Sequence, residues 1–224
     1  MSKQSFKFTA TAFIVISLTL LFFPVASNAY RTISGNDIEL SCGQQNTQGK
    51  KILVVYDTKY GATRTIANKI QEVLCTQGAQ VDMSIVKRIR DLSTYDAVIL
   101  GSAIISEQWR PDMLAFLKAQ QGALAKKHVA VFIVCGLLKD DTAANQQQAQ
   151  QGYIDPVLKQ FPQIVPVGSP GLFGGVMDFS VLTPLDEFLI RTLFGSGPYA
   201  LPEGDYRNFD KVTQWSEAIF AALK

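Results

Sequence analysis

The chain has 224 residues, 47% of them hydrophobic and 18% charged, a composition suited to one sizeable globular domain with a full core. Its formal charge of +2 is an N-terminal effect: Lys3, Lys7 and Arg31 precede the first acidic residue, Asp37, and residues 32–224 carry 18 basic and 19 acidic side chains, a net of −1. With no run of like charge there is no footprint for nucleic acid, and three scattered cysteines (Cys42, Cys75, Cys135) with one histidine, His128, argue against a metal site or a Ser-His-Asp triad.

Residues 8–30 hold no charged side chain, and two lysines stand before them. Ser27 and Ala29 supply small residues for a cleavage after Ala29, the order of a secretory signal peptide. The same stretch approaches the roughly 20 residues that span a bilayer, so a retained anchor is the other reading. Lysines ahead of the segment favour a cytoplasmic N-terminus and send the rest of the chain across the membrane. Glu39 interrupts the apolar pattern that a lipoprotein site at Cys42 would need, and residues 31–49 read as a polar linker. An odd cysteine count speaks against a disulfide scaffold and leaves a single bridge open.

From Lys51 strands and helices alternate. Apolar runs predict strands at Ile52–Tyr56, Val81–Val86, Ala97–Leu100, Val129–Val134 and Ile164–Val167. Helical spacing predicts helices over Thr63–Gln77, Pro111–Gln121, about Asn145–Gln160 and about Phe209–Leu223. Right-handed crossovers then require an α/β domain, a doubly wound parallel sheet over residues 50–224 covered on both faces. His128, at the head of a strand, reads as structural.

Ligands of such sheets bind beyond the carboxyl ends of the strands, at the point where strand order switches. For a 2-1-3-4-5 order, three loops meet there: Thr58 to Thr63, Gly101 to Ile104, and Cys135-Gly136-Leu137. The first offers the hydroxyls of Thr58 and Thr63, a close backbone approach at Gly61, and the amides of Gly61, Ala62 and Thr63 at a helix start, where the dipole favours an anion. That chemistry fits a phosphate, and the residues equally fit a plain helix cap with a glycine turn. Neither GxxxxGK[ST] nor GxGxxG is present.

Thr58-Lys59-Tyr60-Gly61-Ala62-Thr63 resembles the FMN-phosphate loop of flavodoxins, T-x-T-G-x-T, with Tyr60 in place of the middle threonine. Tyr95–Ile104 resembles the third strand of that fold and the loop beside the flavin ring. The resemblance covers about residues 50–224 and implies a flavodoxin-like, five-stranded fold with FMN as cofactor. It implies binding residues Thr58, Lys59, Tyr60, Gly61, Ala62, Thr63, Ser102, Ala103, Ile104, Trp109, Cys135, Gly136 and Leu137. Trp109 would either stack on the flavin or anchor the next helix, and Arg110 would either meet a substrate carboxylate or start that helix.

Within the superfamily the chain looks most like the menaquinone-dependent protoporphyrinogen dehydrogenases, which have a T-[KR]-x-G-x-T loop and an added segment before the last helix. Here that segment runs from Pro170 through Phe179–Phe194 to Asn208. Phe179–Phe194 carries a broad apolar face with Asp186, Glu187 and Arg191 on its charged side; it packs on the sheet, lines a hydrophobic substrate site or touches the bilayer. The resemblance implies hydride transfer from a porphyrinogen-like or quinone-like substrate to flavin, and on to menaquinone or another quinone; no side chain is assigned as acid or base. A one-electron shuttle and a binding module without flavin are the alternatives. Shuttles tend to be strongly acidic to steer toward basic partners, which the near-neutral domain is not. Enzymes of haem synthesis are expected to face the cytoplasm, whereas the lysine-first topology puts this domain on the outer, periplasmic side.

Overall fold

The computed structural model describes residues 35–197 and 200–223; the signal-or-anchor segment, residues 8–30, lies outside them. The first strand, β1 (Leu40–Cys42), falls where the sequence reads as linker, and runs antiparallel to residues 81–83. It is followed by β2 (Lys51–Asp57), α1 (Ala62–Thr76), β3 (Gln80–Ile85), β4 (Ala97–Ile105), β5 (Gln108–Trp109), α2 (Pro111–Leu124) and β6 (His128–Val134). Helices α3 (Ala143–Ala149) and α4 (Asp155–Gln160) are joined by a π-turn over Gln150–Ile154. The chain closes with β7 (Gly171–Phe173), β8 (Val176–Met177), α5 (Pro184–Phe194), β9 (Gly204–Asp205) and α6 (Phe209–Ala222).

The sheet order is β1-β3-β2-β4-β6-β7, and β3, β2, β4, β6 and β7 are parallel. Those five reproduce the expected 2-1-3-4-5 order. Ile52 lies opposite Val81 on one side and Ala97 on the other, and Ala97 lies opposite His128. Alternate side chains of each strand leave on opposite faces. Leu53, Val55, Val98, Val131 and Ile133 therefore join the layer under α2 and α4, while Ile52, Val54, Tyr56, Ile99 and Phe132 join the layer under α1 and α6. Central strands buried on both faces have no polar side to show, hence the unbroken run Ile52–Tyr56.

Two expectations are corrected. The fifth strand is Gly171–Phe173, pairing with Phe132–Val134, and Ile164–Val167 makes only one bridge, between Val129 and Pro166. That bridge is closed by Val167 N–H donating to Val129 C=O at 2.7 Å, after which the chain leaves the sheet and rejoins it at Gly171. Residues 35–49 are part of the domain: β1 extends the sheet past β3, and Cys42 forms a disulfide with Cys75 in the last turn of α1. Ser41 Oγ also donates to Asp82 at 2.6 Å. The odd cysteine, Cys135, is buried, and burial pushes its thiol up to about 11.

The bridge closes a loop across a sequence separation of 33. A loop of that size restricts the unfolded chain by about 3–4 kcal/mol. Replacing Cys42 and Cys75 by serine together should lower unfolding stability by about 2–4 kcal/mol, read as a fall in the urea midpoint; an unchanged midpoint would mean that β1 is held by its strand pairing alone.

Candidate functional site

The loop expected to hold a phosphate begins where β2 ends at Asp57 and finishes at the N-terminus of α1. Gly61 takes φ +90°, and a Cβ there would meet nothing within 4 Å. The position thus needs glycine for its left-handed backbone, and the surrounding space is open. Its N–H donates to Thr58 Oγ1 at 3.0 Å, and its carbonyl accepts from Thr65 N–H at 3.1 Å. Helix geometry leaves the first-turn amides without internal acceptors, and no acidic side chain occupies that turn.

Thr63 is fully buried, and its Oγ1 has no hydrogen-bond partner among the described residues. An orphaned hydroxyl costs about 1–3 kcal/mol, which a phosphate oxygen at the mouth of the loop would offset. A glycine with open space, free helix amides and an unsatisfied hydroxyl fit a phosphate better than a plain cap, which would have spent them.

The other expected residues divide. Ala103 and Ile104 lie near the end of β4, on the same rim. Ser102 spends its hydroxyl on the loop itself, donating to Ala103 C=O at 2.9 Å and accepting from Arg110 N–H at 2.9 Å. Trp109 does not face a flavin site. It is 3% exposed, packs in the layer under α2, and donates its indole N–H to Tyr153 C=O at 2.8 Å. The helix-anchor reading therefore replaces the stacking one, because an indole N–H buried with the ring needs an acceptor. Cys135 offers no side chain, being in the core, and its amide donates to Phe173 C=O. Gly136 and Leu137 follow it on the rim. Arg110, at the N-cap of α2, sits 3.7 Å from the buried carboxylate of Asp57.

A turn that the sequence pattern does not show lies beside this rim. Ser106 and Glu107 both have positive φ and turn β4 back into β5. Two consecutive left-handed residues make a tight hairpin, and here neither is glycine. Glu107 accepts from Tyr153 O–H at 2.9 Å, tying the hairpin to the π-turn.

Most of what sequence reasoning missed belongs to the added segment. It leaves the sheet after β7 and returns through β9, which pairs with β8. Asp186 in the first turn of α5 accepts from Lys59 Nζ at 2.6 Å, from the Tyr60 hydroxyl and from Thr183 Oγ1 at 2.6 Å. The Lys59 ammonium, with those hydroxyls, holds the Asp186 carboxyl well below the usual carboxylate range. Leu201, on the returning limb, comes within 3.0 Å of where a Cβ on Gly136 would stand. The segment thus touches the first and third loops of the rim. Beside the phosphate loop it leaves a cleft of ≈ 350 Å³ lined by Tyr60, Arg64, Asn68, Val181, Leu182 and Arg207, among others. A sequence cue existed: Thr183-Pro184-Leu185-Asp186 is a capping pattern, but the carboxylate's second task is visible only in three dimensions. Among the described residues no cluster of His, Cys, Asp or Glu could hold a metal ion.

A glycine-led loop opening a helix at the switch point of a doubly wound parallel sheet is the arrangement of a flavodoxin-like domain. The sequence profile of the flavodoxin domain matches residues 53–197, and the chain belongs to that family, whose cofactor is FMN. No curated protein matches it. Among solved structures it is similar to rubredoxin oxygen:oxidoreductase from Desulfovibrio gigas, at 16% identity and TM-score 0.50 over 80% of this chain and 38% of that one. It is similar to the flavodiiron core from Synechocystis sp. PCC6803, at 13% identity and TM-score 0.51 over 80% of this chain and 36% of that one. A short-chain flavodoxin associated with a bacterial microcompartment is matched at 13% identity and TM-score 0.50, over 78% of this chain and 99% of that one. The chain thus spans less than two fifths of the two larger proteins and nearly all of the flavodoxin.

Thr63→Val should separate folding from binding. Removing the orphaned hydroxyl should raise the stability of the flavin-free protein by about 1 kcal/mol. FMN affinity should fall roughly tenfold, equivalent to about 1.4 kcal/mol; thermal unfolding and a flavin-fluorescence titration read the two signs. Asp186 supplies a pH dependence. Its folded pKa is depressed, so its contribution to stability is complete above about pH 4 and is lost as pH falls toward the folded value. Asp186→Asn should flatten that acid limb of the melting temperature while leaving the neutral plateau lower.

Proposed function

We propose that the chain is an FMN-dependent oxidoreductase passing reducing equivalents from a small reduced substrate to a membrane quinone, in the manner of the menaquinone-dependent protoporphyrinogen dehydrogenases. The family supplies the coarser part, a flavodoxin-domain protein working in electron transfer or oxidoreduction. The observation that carries the finer part is the added segment, which contacts the rim at Lys59, Tyr60 and Gly136. A shuttle serves partner proteins best with an open flavin edge and a strongly charged rim. A rim partly closed by a segment of the same chain favours small substrates instead.

When bound, FMN supplies the hydride and electron chemistry. The protein's own residues would hold its phosphate through Thr63 Oγ1 and the amides of Ala62, Thr63 and Arg64, with the Lys59 and Arg64 cations nearby. Gly61 keeps the approach clear. The 102–110 loop, closed internally by Ser102, fixes one side of the rim without lending it a hydroxyl.

The domain is proposed to work on the outer face of the cytoplasmic membrane. A disulfide between Cys42 and Cys75 belongs with an oxidising compartment, as does the lysine-first signal or anchor. The electron donor is then a porphyrinogen-like or quinone-like compound available on that side.

The test starts with the visible spectrum of the purified full chain after incubation with FMN and desalting. Flavin bands should remain, and should be lost when Gly61 and Thr63 are replaced by bulky acidic residues. The reduced protein should then be reoxidised anaerobically by menaquinone in vesicles, and should turn over a porphyrinogen donor. Reoxidation by carrier proteins but not by quinone would favour the shuttle, and a colourless folded protein would overturn both.

A further inference from the structure

Six of the nine large hydrophobic side chains exposed among the described residues lie between Val181 and Phe194. Leu185, Phe188, Leu189 and Leu193, exposed by 66%, 64%, 42% and 64%, recur at the spacing of one face of α5. The face does not pack on the sheet. The flank of the helix beside that face is engaged, through Asp186, with Lys59 and Tyr60 on the rim. Glu187 pairs with Arg191 at 2.8 Å, and Arg191 lies over the Phe179 ring at 4.0 Å. The helix is therefore fixed to its own domain with its apolar side turned out. A contiguous apolar patch of this kind marks an interaction surface.

Where the chain enters the domain identifies the partner. Asn36 Oδ1 accepts from the amides of Arg90 and Asp91, and Asp37 N–H donates to Arg88 C=O, just past the carboxyl end of β3. Glu39 accepts from Tyr56 O–H at 2.7 Å and pairs with Arg64, which lines the same cleft as Val181 and Leu182. The entering chain and the apolar helix thus flank one rim. Only five residues, six Cα steps, separate Tyr30, the end of the uncharged stretch, from Asn36. Even fully extended they reach roughly 20 Å, so a retained segment would keep this rim close to the membrane.

We propose that the exposed face of α5 is a membrane-docking surface that seats the phosphate-loop rim against the lipid bilayer. An amphipathic helix lying in the interface buries one face among the headgroups and acyl chains, and Leu185, Phe188, Leu189 and Leu193 are the side chains that enter. Asp186 and Glu187 against the single Arg191 give the helix no excess of positive charge, so docking is apolar and does not need anionic lipid. The inference deepens the quinone-linked reading, because a lipid-dissolved acceptor would meet the site at the bilayer.

The full chain, reconstituted in phosphatidylcholine vesicles, tests it with an environment-sensitive fluorophore on Phe188→Cys or Leu193→Cys. The control is Lys126→Cys, exposed in the loop before β6 at the opposite end of the sheet. Buried Cys135 does not compete for label. Brominated lipids should quench both α5 labels several-fold more than the control, and adding anionic lipid should change little. Equal quenching at all positions would overturn the proposal. So would α5 labels that stay unquenched while reporting on each other across two copies, which would assign the face to a second chain. The measurement needs neither flavin nor turnover, so its failure and that of the redox reading are told apart.

Discussion

The free amides at the N-terminus of α1 are the constraint around which the rest is arranged. A parallel strand feeding a helix leaves those donors pointing outward at the carboxyl end of the sheet, with the positive end of the helix dipole behind them. Here β2 lies between β3 and β4, so the donors open into the crevice where strand order switches. Gly61 clears the backbone around them, and Thr63 adds a hydroxyl that nothing among the described residues satisfies. The sheet exists on this account to hold one helix end still. Its two apolar layers do that by burying both faces of β2 completely.

The added segment answers a second electrostatic need of the same rim. Tyr60 stands where the flavodoxin loop pattern has a threonine, with Lys59 beside it, and a cation and a phenol there want an acceptor. Asp186 provides it from α5, and the requirement fixes the helix at both levels: its N-cap through Thr183, its place through Lys59 and Tyr60. The carboxylate thus ties the loop to the first turn of α5, while the cap itself is a separate bond, Thr183 Oγ1 accepting from Asp186 N–H.

What the sequence revealed follows how local each determinant is. The four long parallel strands and helices α1, α2 and α6 are set by short apolar periodicities, and residue counting finds them to within a few positions. So is the cradle, because Thr58, Gly61 and Thr63 act within six residues of one another. The fifth strand is hard to place because Ile164 and Val167 look like a strand although the chain there meets β6 only at the Val129–Pro166 bridge, and the actual strand, Gly171–Phe173, is too short to show a period. β1 was hidden for a similar reason: three residues of mixed polarity gain their place from a partner strand and a disulfide far along the chain. Trp109 was ambiguous because position alone does not say which way a ring turns; Tyr153, 44 residues later, decides it. Asp186 was invisible as a site residue because its partners lie 126 and 127 residues away.

The staple between Cys42 and Cys75 also decides how the domain takes a mechanical pull. β1 is the first strand after the chain enters, and three pairs of antiparallel residues would peel one after another if tension arrived there alone. The disulfide diverts that tension at Cys42 into the last turn of α1, a helix of 15 residues packed along the sheet. Force applied ahead of residue 35 is thereby shared with the core, and stretching of the N-terminal side stops before it reaches β2 and the loop at its tip.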